Sequence, residues 1–354
     1  MKRIDVNLVS NPYSIFFINW IDEILSVNFE FAKYNKVLIV TDDVVADIYL
    51  NKLIKVLKNI VSRIYSYTIA NGEKSKNNQN AIGIINYMVE NGFHRNDLII
   101  AFGGGVVGDL SGYVASIFMR GIDFVQMPTT LLSSVDASIG GKTAIDIPLG
   151  KNLIGTFHQP VAVIETMSII EELPIDIFQE GISEVIKYGA IYDREILKLV
   201  ESGIKKNLPE IILRCTKAKA EIVVKDEKES GLRKILNFGH TLAHAIEQCS
   251  EYSISHGKAV AYGMIFECFI SYKKNYCSKI FYDYLFRLIK KYFKLDKLDY
   301  APHTIIKYML NDKKNCDSKI VFAIPTETSN IIIGLEPDDV FMLLKECTNG
   351  ERVD

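Results

Sequence analysis

Three histidines lie within seventeen residues in the second half of the chain, although the whole sequence contains only six. His240 and His244 are one helical turn apart in NFGHTLAHAIE, and His256 follows in SISHGKAVAYGM. Glu184 lies one turn before Lys187 in GISEVIKYGA. Neutral imidazoles and a carboxylate suit a Zn²⁺ ion that keeps one coordination position open. The sequence therefore predicts a metal centre, and spacing alone favours His240 and His244 as joint ligands, although the glutamate of HExxH helices is absent.

A run of glycines is the second candidate site. GGGVVGD (Gly103–Asp109) follows a predicted strand and begins a predicted helix. The amides of a helix N-terminus favour a pyrophosphate, and glycines let it come close to the backbone. The alternative is a tight strand–helix turn without a ligand. The spacing differs from GxGxxG, which disfavours an ordinary Rossmann dehydrogenase. Asp42, at the end of an earlier predicted strand, is a candidate acceptor for a ribose hydroxyl.

Basic residues are concentrated between Arg120 and Asn152, among glycines and prolines. We interpret GGKT and GKN as loops that bring ammonium groups and backbone amides onto a phosphate. The alternative is a solvated loop whose lysines are there by chance. GGKT resembles the end of a P-loop, but Asp136 stands where the upstream glycine is required, so a nucleotide triphosphatase is disfavoured.

The elements that must position these residues alternate in the first half of the chain. Near-continuous apolar runs predict strands at Lys36–Asp43, Arg63–Ala70, Asp97–Gly105 and Asp123–Thr130, with helical stretches between them. Such alternation predicts a parallel sheet covered on both faces, with ligands beyond the carboxyl ends of its strands. From Phe178 to about Tyr292 the periodicity is helical, and a second domain is expected to begin near residue 171. The prediction is an α/β domain over 1–170 and a mainly helical domain over 171–354.

Composition excludes several classes of protein. The 354 residues carry a formal net charge of −2, which does not indicate a general affinity for nucleic acid or anionic membranes. The six cysteines include no CxxC pair and are expected to be reduced thiols of a cytoplasmic protein. No apolar run approaches the ~18 residues of a membrane helix. The stretch Ile15–Ile21 contains Asn19 and lacks a cleavage site, so no signal peptide is expected.

Taken together, the motifs resemble those of a known family. The blocks are GGGVVGDLSGYVAS, MRGIDFVQMPTTLLSSVDASIGGKTAID, PLGKNLIGTFHQP, GISEVIKYGA, KAEIVVKDEKESGLRKILNFGHTLAHAIE, SHGKAVAYGM and NDKKN. In this order they resemble the 3-dehydroquinate synthases, from about Lys36 to about Pro325. The resemblance implies a Rossmann-like parallel sheet in the N-terminal domain and a mainly α-helical C-terminal domain.

The resemblance also implies a role for each site residue. The implied metal ligands, for one Zn²⁺ or Co²⁺, are Glu184, His240 and His256, which leaves His244 as a site residue. The implied NAD contacts are Asp42, Glu73, Lys76, Gly104, Gly105, Val106, Asp109, Thr129, Thr130, Leu132 and Lys151. The implied catalytic residues are His244, Lys142, Asp136, Lys187 and Asn152. The implied substrate contacts are Lys219, Arg233, Asn237, one lysine of Lys313 and Lys314, and Arg120, which would reach the substrate of a neighbouring subunit in a homodimer.

The implied reaction converts 3-deoxy-D-arabino-heptulosonate 7-phosphate into 3-dehydroquinate and phosphate, a step of the shikimate pathway. Oxidation by NAD⁺ acidifies a neighbouring C–H, phosphate leaves, the hydride returns, and ring opening precedes an intramolecular aldol step. Lys219 and Arg233 suit the substrate carboxylate. The phosphate suits Lys142, Asn152, Asn237, the 313–314 lysine pair and a partner's Arg120.

Two positions depart from the family pattern. Glu172 stands where threonine is usual before Leu-Pro, which puts one adenine-side contact to NAD in doubt, and Lys258 replaces the glutamate of His-Gly-Glu. Three alternatives stay open: a metal-dependent alcohol or glycerol dehydrogenase of the same architecture, a sister sugar-phosphate cyclase, and a non-enzymatic sugar-phosphate sensor. The sensor would predict erosion of the ligands, but Glu184, His240 and His256 are all present.

Overall fold

A computed structural model describes residues 2–310 and 319–349, with the side chains of 348 and 349 left aside. Contacts between Cα atoms divide the chain into two compact units. The first contains residues 1–178 and 219–228, and the second contains 179–218 and 229–354. The functional boundary expected between residues 170 and 171 stays a prediction.

The first unit contains a seven-stranded sheet in the order β1-β2-β9-β6-β5-β3-β4. Neighbouring strands are parallel except for β1, which pairs antiparallel with β2. The strands are β1 (Lys2–Val6), β2 (Tyr13–Ile18), β3 (Lys36–Asp42), β4 (Arg63–Ile69), β5 (Leu98–Gly103), β6 (Asp123–Pro128) and β9 (Ala162–Thr166). All four strands predicted from the sequence are present, and the predicted Rossmann-like α/β domain is confirmed.

The sheet is buried on both faces, which explains why its central strands are apolar without alternation. Every residue of β3 and β5 is buried. Val37 and Ile39 belong to one apolar core, while Leu38 and Val40 belong to another. Because successive side chains of a strand point to opposite faces, these two cores lie on the two sides of the sheet.

A hairpin occupies the segment expected to form loops around GGKT and GKN. Strands β7 (Lys142–Ile147) and β8 (Gly150–Phe157) pair antiparallel, with an irregularity between Ile145 and Ile147. The glycines and the proline that suggested loops lie at the start of this hairpin and at its turn. Lys142 therefore begins a strand, and Lys151 and Asn152 lie within one.

Helices dominate the rest of the chain. Those of the first half are α1 (Asp43–Val45), α2 (Asn51–Leu57), α3 (Asn78–Glu90), α4 (Gly105–Ile117) and α5 (Met167–Glu171). Those that follow are α6 (Ile175–Ile191), α7 (Arg194–Gly203), α8 (Leu208–Lys225), α9 (His240–Cys249), α10 (His256–Lys273), α11 (Lys279–Tyr292), α12 (Pro302–Leu310) and α13 (Pro337–Asn349). Among the described residues after α5, only the hairpin of β10 (Ile320–Pro325) and β11 (Asn330–Leu335) forms strands. The prediction of a mainly helical second half is therefore confirmed.

Most residues of helix α10 from Gly257 to Ser271 are buried. A helix buried on every side cannot show an amphipathic pattern. In the part of the chain that the structure describes, no helix has the length and apolarity to cross a membrane.

Candidate active site

Three side chains of the second unit converge on one point. Glu184 comes from α6, His240 is the first residue of α9, and His256 is the first residue of α10. One ligand atom from each lies within 4.8 Å of the others. The Nε2 atoms of His240 and His256 are 3.4 and 3.5 Å from Oε1 of Glu184. Two imidazole nitrogens and one carboxylate oxygen form a donor set that fits Zn²⁺ or Co²⁺.

The Glu184 carboxylate is fully buried and surrounded by nitrogen atoms. Lys187, three residues further along α6 and 1% exposed, forms an ion pair with it. Burial acts to raise the pKa of Glu184, but the Lys187 ammonium and His240 lower it well below its usual value. Burial lowers the pKa of His240 to about 4. Glu184 is thus an ionised carboxylate and His240 a neutral imidazole, the forms that bind a metal. Burial acts to lower the pKa of His256, but its contacts with Glu184 and Glu247 raise that pKa to about 10, so this imidazole has to lose a proton when a metal binds.

His244 lies beside this cluster. Its ring centroid is 5.7 Å from that of His240, with the rings nearly perpendicular, whereas the centroid of His256 is 5.5 Å from that of His240. The ring separations are thus similar, but the ring nitrogens that lie beside the Glu184 carboxylate are those of His240 and His256. The converging set contains Glu184, His240 and His256.

Other predicted substrate residues of this unit lie just before α9. Arg233 and Asn237 belong to the short 3₁₀ helix Leu232–Asn237, and Arg233 is 1% exposed. The amide of Asn237 donates to Oε1 of Glu229 at 2.7 Å. Lys313 and Lys314 lie outside the described residues.

The glycine turn of the first unit lies at the point where the strand order reverses. Strand β3 has β4 on one side and β5 on the other, so the connections that leave β3 and β5 diverge above their carboxyl ends. Asp42 ends β3, and Gly103 ends β5. Such a switch point is where ligands bind in open α/β sheets.

Packing explains some of these glycines but leaves two for a ligand. A Cβ on Gly103 would lie 2.6 Å from Val107 Cβ, so close packing excludes a side chain there. A Cβ on Gly105 would meet only Ala137, at 3.5 Å, and one on Gly104 would meet Thr130 Cγ2 at 3.3 Å. Neither of these two has a positive φ. Room next to the N-terminal amides of α4 suits a bound pyrophosphate.

A buried polar network connects this turn to the hairpin. Lys76 donates to Oδ2 of Asp109 at 2.6 Å and to Oδ1 of Asn152 at 2.6 Å. Burial acts to lower the pKa of Lys76, but Asp109 and Glu73 outweigh it and raise that pKa. Asn152 has a φ of 54°, a conformation that asparagine tolerates better than most residues, and its N–H donates to Asp146. Lys76, which is expected to contact NAD, thus contacts Asn152, which is expected to contact the substrate.

Asp136 and Lys219, which were predicted separately as site residues, form an ion pair in the first unit. Asp136 belongs to the helical turn Ser133–Ala137, and Lys219 belongs to α8. Lys219 Nζ lies 2.5 Å from Oδ1 of Asp136 and donates to its backbone carbonyl. Lys219 is 6% exposed, and the Asp136 carboxylate partly compensates the cost of burying its charge.

Arg120 lies in a strained surface segment. Met119, Arg120 and Gly121 have φ values of 48°, 68° and 118°. The Arg95 guanidinium donates twice to the Met119 carbonyl, from Nε at 3.2 Å and from Nη2 at 2.8 Å. Non-glycine residues in the left-handed region are uncommon, and such strain is often found at functional sites.

The remaining predicted contacts surround the carboxyl edge of the sheet. Val106 lies in the first turn of α4, Thr129, Thr130 and Leu132 follow β6, and Asp42 caps α1 through the amide of Val45. Lys151 Nζ is 3.9 Å from Oε1 of Glu73. Lys142 is exposed at the start of β7.

Sequence reasoning missed two carboxylates that the structure brings to the second-unit site. Glu229 accepts from Asn237, and Oε1 of Glu247 lies 3.4 Å from Nδ1 of His256. Both glutamates were inside recognised blocks, in DEKESGLR and HAIE. Glu247 and His256 lie on different helices joined by a turn. The periodicity of a single helix therefore could not predict their contact.

Comparison with known proteins agrees on one family. Residues 66–180 match the model described as 3-dehydroquinate synthase N-terminal, and residues 181–315 match the C-terminal model of that enzyme. The 3-dehydroquinate synthase of Thermodesulfovibrio yellowstonii is 39% identical over 350 residues, which cover 95% of this chain and 97% of that protein.

Solved structures have the same fold. A 2-deoxy-scyllo-inosose synthase complexed with carbaglucose-6-phosphate, NAD⁺ and Co²⁺ matches with a TM-score of 0.89 and 21% identity, over 98% of this chain and 99% of that one. ValA, the 2-epi-5-epi-valiolone synthase of Streptomyces hygroscopicus subsp. jinggangensis 5008, with NAD⁺ and Zn²⁺ bound, matches with a TM-score of 0.85 and 21% identity, over 96% and 97% of the two chains.

Proposed function

Because this chain belongs to the 3-dehydroquinate synthase family, we propose that it converts 3-deoxy-D-arabino-heptulosonate 7-phosphate into 3-dehydroquinate and inorganic phosphate. As a phosphate-eliminating carbon–oxygen lyase it would serve the shikimate pathway in the cytoplasm and act as a homodimer. The observation that carries the proposal is the match at 39% identity over nearly the whole chain, and the convergence of Glu184, His240 and His256 in the second unit supports it.

Glu184, His240 and His256 would hold one Zn²⁺ or Co²⁺ ion. A divalent ion held there would supply Lewis acidity, which would lower the pKa of a nearby substrate hydroxyl. Lys187 balances the Glu184 charge and offers an ammonium group beside the proposed ligands. His244, whose ring is edge-on to His240, suits proton transfer or hydrogen bonding at a substrate hydroxyl.

NAD would bind at the glycine turn of the first unit. Its nicotinamide would supply a hydride acceptor and donor, with no net consumption of NAD. The amides at Gly104, Gly105 and Val106 would hold the pyrophosphate, and Asp42 would accept from a ribose hydroxyl. The Lys76–Asp109 ion pair beneath this turn fixes the lysine ammonium among carboxylates.

Charged residues would hold the two ends of the substrate. Lys219 and Arg233 are assigned to its carboxylate, because both are nearly inaccessible cations and desolvated cations bind carboxylates strongly. Lys142, Asn152, Asn237, the 313–314 lysine pair and Arg120 of the partner subunit are assigned to the phosphate. Asn152 contacts Lys76, and Asn237 contacts Glu229.

The test is whether the hydride stays on the enzyme. The purified protein with Zn²⁺ or Co²⁺ receives the heptulosonate phosphate and a much lower concentration of NAD⁺, while inorganic phosphate and absorbance of reduced nicotinamide are followed together. We expect phosphate in large excess over total NAD and no accumulation of free NADH. His256→Ala should release no phosphate, whereas His303→Ala, at an exposed histidine on α12, should match the unchanged protein.

Other outcomes would point to other functions. One NADH per turnover from glycerol or a small alcohol, with no phosphate from the sugar acid, would identify a dehydrogenase. Phosphate release from a different sugar phosphate alone would identify a sister cyclase. Binding of a sugar phosphate without turnover of any of these compounds would identify a sensor.

A further inference from the structure

The two ligand histidines have different partners on their second ring nitrogen. Both direct Nε2 toward Glu184, at 3.4 and 3.5 Å from Oε1. Nδ1 of His240 lies 3.1 Å from the backbone carbonyl of Phe238, a neutral acceptor. Nδ1 of His256 lies 3.4 Å from Oε1 of Glu247, a carboxylate. Each Nδ1 therefore faces an acceptor other than Glu184, so a proton held on Nδ1 would leave the Nε2 lone pair for a metal.

Glu247 is a buried residue whose position suits this contact. It lies in α9, two helical turns after His240, and is 6% exposed. Burial of a carboxylate is costly unless it has charged or hydrogen-bonding partners. His256, the first residue of α10, is such a partner. Glu247 thus connects the helix that carries one ligand to the helix that begins with another.

We propose that Glu247 is a positioning residue that fixes the ring of His256 and makes it the stronger imidazole donor of the pair. The inference rests on the metal centre of the proposed function and adds a residue to it. A carboxylate behind a metal-bound imidazole fixes its orientation and increases its basicity more than a carbonyl does. Loss of such a partner typically weakens metal binding by roughly 10- to 100-fold.

The experiment measures metal affinity directly, without turnover. Metal-free protein is titrated with Zn²⁺ and Co²⁺ against a chromophoric chelator, and the visible spectrum of the Co²⁺ form is recorded. We expect Glu247→Ala to weaken binding by about 10- to 100-fold. Glu247→Gln keeps the shape and an acceptor oxygen but loses the charge, so it should weaken binding by a smaller factor. Both variants should alter the Co²⁺ spectrum.

Glu251→Gln is the matched control, because it removes the same charge from an exposed position four residues further along. It should bind as the unchanged protein does. If both Glu247 variants bind metal as tightly as Glu251→Gln, with the same Co²⁺ spectrum, the proposal is wrong. If Glu247→Ala fails to fold, the comparison of Glu247→Gln with Glu251→Gln decides in the same way.

The unchanged protein and His256→Ala separate this inference from the function on which it rests. Failure of the unchanged protein to bind either metal, or full binding by His256→Ala, would contradict the metal centre itself. Binding by the unchanged protein, loss in His256→Ala and no effect at Glu247 would contradict only the positioning role.

Discussion

Glu165 is a fully buried carboxyl group on β9, outside the proposed chemistry. Burial raises its pKa to about 8, and the influence of Ser134 opposes this only partly. The ordinary value of 4.5 applies in the unfolded chain. Between pH 4.5 and 8 the folded protein therefore holds a proton that the unfolded chain has lost. The stability that this group contributes is complete below pH 4.5 and decreases as the pH rises through 8.

Glu165→Gln should remove this pH dependence. As the pH rises from 5 to 8.5, the unchanged protein should lose stability relative to the variant, by an amount whose upper limit is on the order of 4 kcal/mol. The free energy of unfolding in urea is measured at both pH values by the fluorescence of Trp20, the single tryptophan, which lies in the first unit. Glu171→Gln, at an exposed position in α5, is the control. An equal stability difference at the two pH values would contradict the raised pKa.

At the scale of residues, the sequence predicted side chains that stand out by type and missed those that act through a neighbour. Histidines are rare here, so their clustering was informative. Glutamates such as Glu229 and Glu247 are common, and most are solvated. Glu247 lies beside His256, and Glu229 accepts from Asn237, only once the chain has folded. The sequence carries no signal for either contact.

At the scale of elements, glycines let the three ligand-bearing helices approach. A Cβ on Gly263 of α10 would lie 1.7 Å from the carbonyl oxygen of Gly239, the residue just before His240. Glu267 of α10 accepts from the Gly239 amide at 2.7 Å. A Cβ on Gly257 would lie 2.5 Å from the carbonyl oxygen of Glu180 on α6, whose carboxylate accepts from the Gly257 amide at 2.6 Å. The positions of the proposed ligands thus depend on close contacts that the backbones of these helices make with their neighbours.

Gly263→Ala should separate α9 from α10 and move His240 away from Glu184. We expect a loss of about 1–3 kcal/mol in the free energy of unfolding, as for overpacked cores, and weaker metal binding. Thermal unfolding and chelator competition measure the two effects. Gly334→Ala on β11 is the control, because its Cβ would meet only the Lys319 side chain, at 3.4 Å. Normal metal affinity in folded Gly263→Ala would show that this approach does not set the ligand geometry.

The same scale explains which elements the sequence predicted. Strands buried on both faces produce apolar runs, so β3 and β5 were evident. Strand β8 has mostly exposed side chains, and its hairpin turn contains Pro148, so its residues resembled a loop. Strand β2 was considered only as a possible leader segment. Its pairing with β9, far along the chain, has no local signal.

At the scale of the whole molecule, the metal centre lies among helices that have their own buried packing. Helix α10 alone contributes Val260, Met264 and Phe266 to the buried residues, and β10 contributes Phe322. This packing does not depend on an ion. The second unit should therefore remain folded without metal, in contrast to a small domain whose core is a zinc site.

Dialysis against a strong chelator should abolish turnover and leave the far-ultraviolet circular dichroism unchanged. The metal-free protein should melt cooperatively, with a stability lower only by the binding contribution, about 2.7 kcal/mol when the free metal is at 100 times its Kd. Readdition of Zn²⁺ or Co²⁺ should restore activity. Loss of helical signal on chelation would contradict a folded metal-free state, and full activity in verified metal-free protein would contradict the metal assignment.

The first unit is not continuous in sequence, since residues 219–228 belong to it although forty residues of the second unit precede them. During synthesis on the ribosome, the sheet can therefore form long before the unit is complete. Until Lys219 emerges, Asp136 lacks the ammonium that lies beside it in the finished protein. A chain that terminates after residue 178 would contain the whole sheet and the glycine turn, yet it would leave this carboxylate without that cation. Gene fragments that encode a self-contained first unit must accordingly supply the 219–228 segment as well.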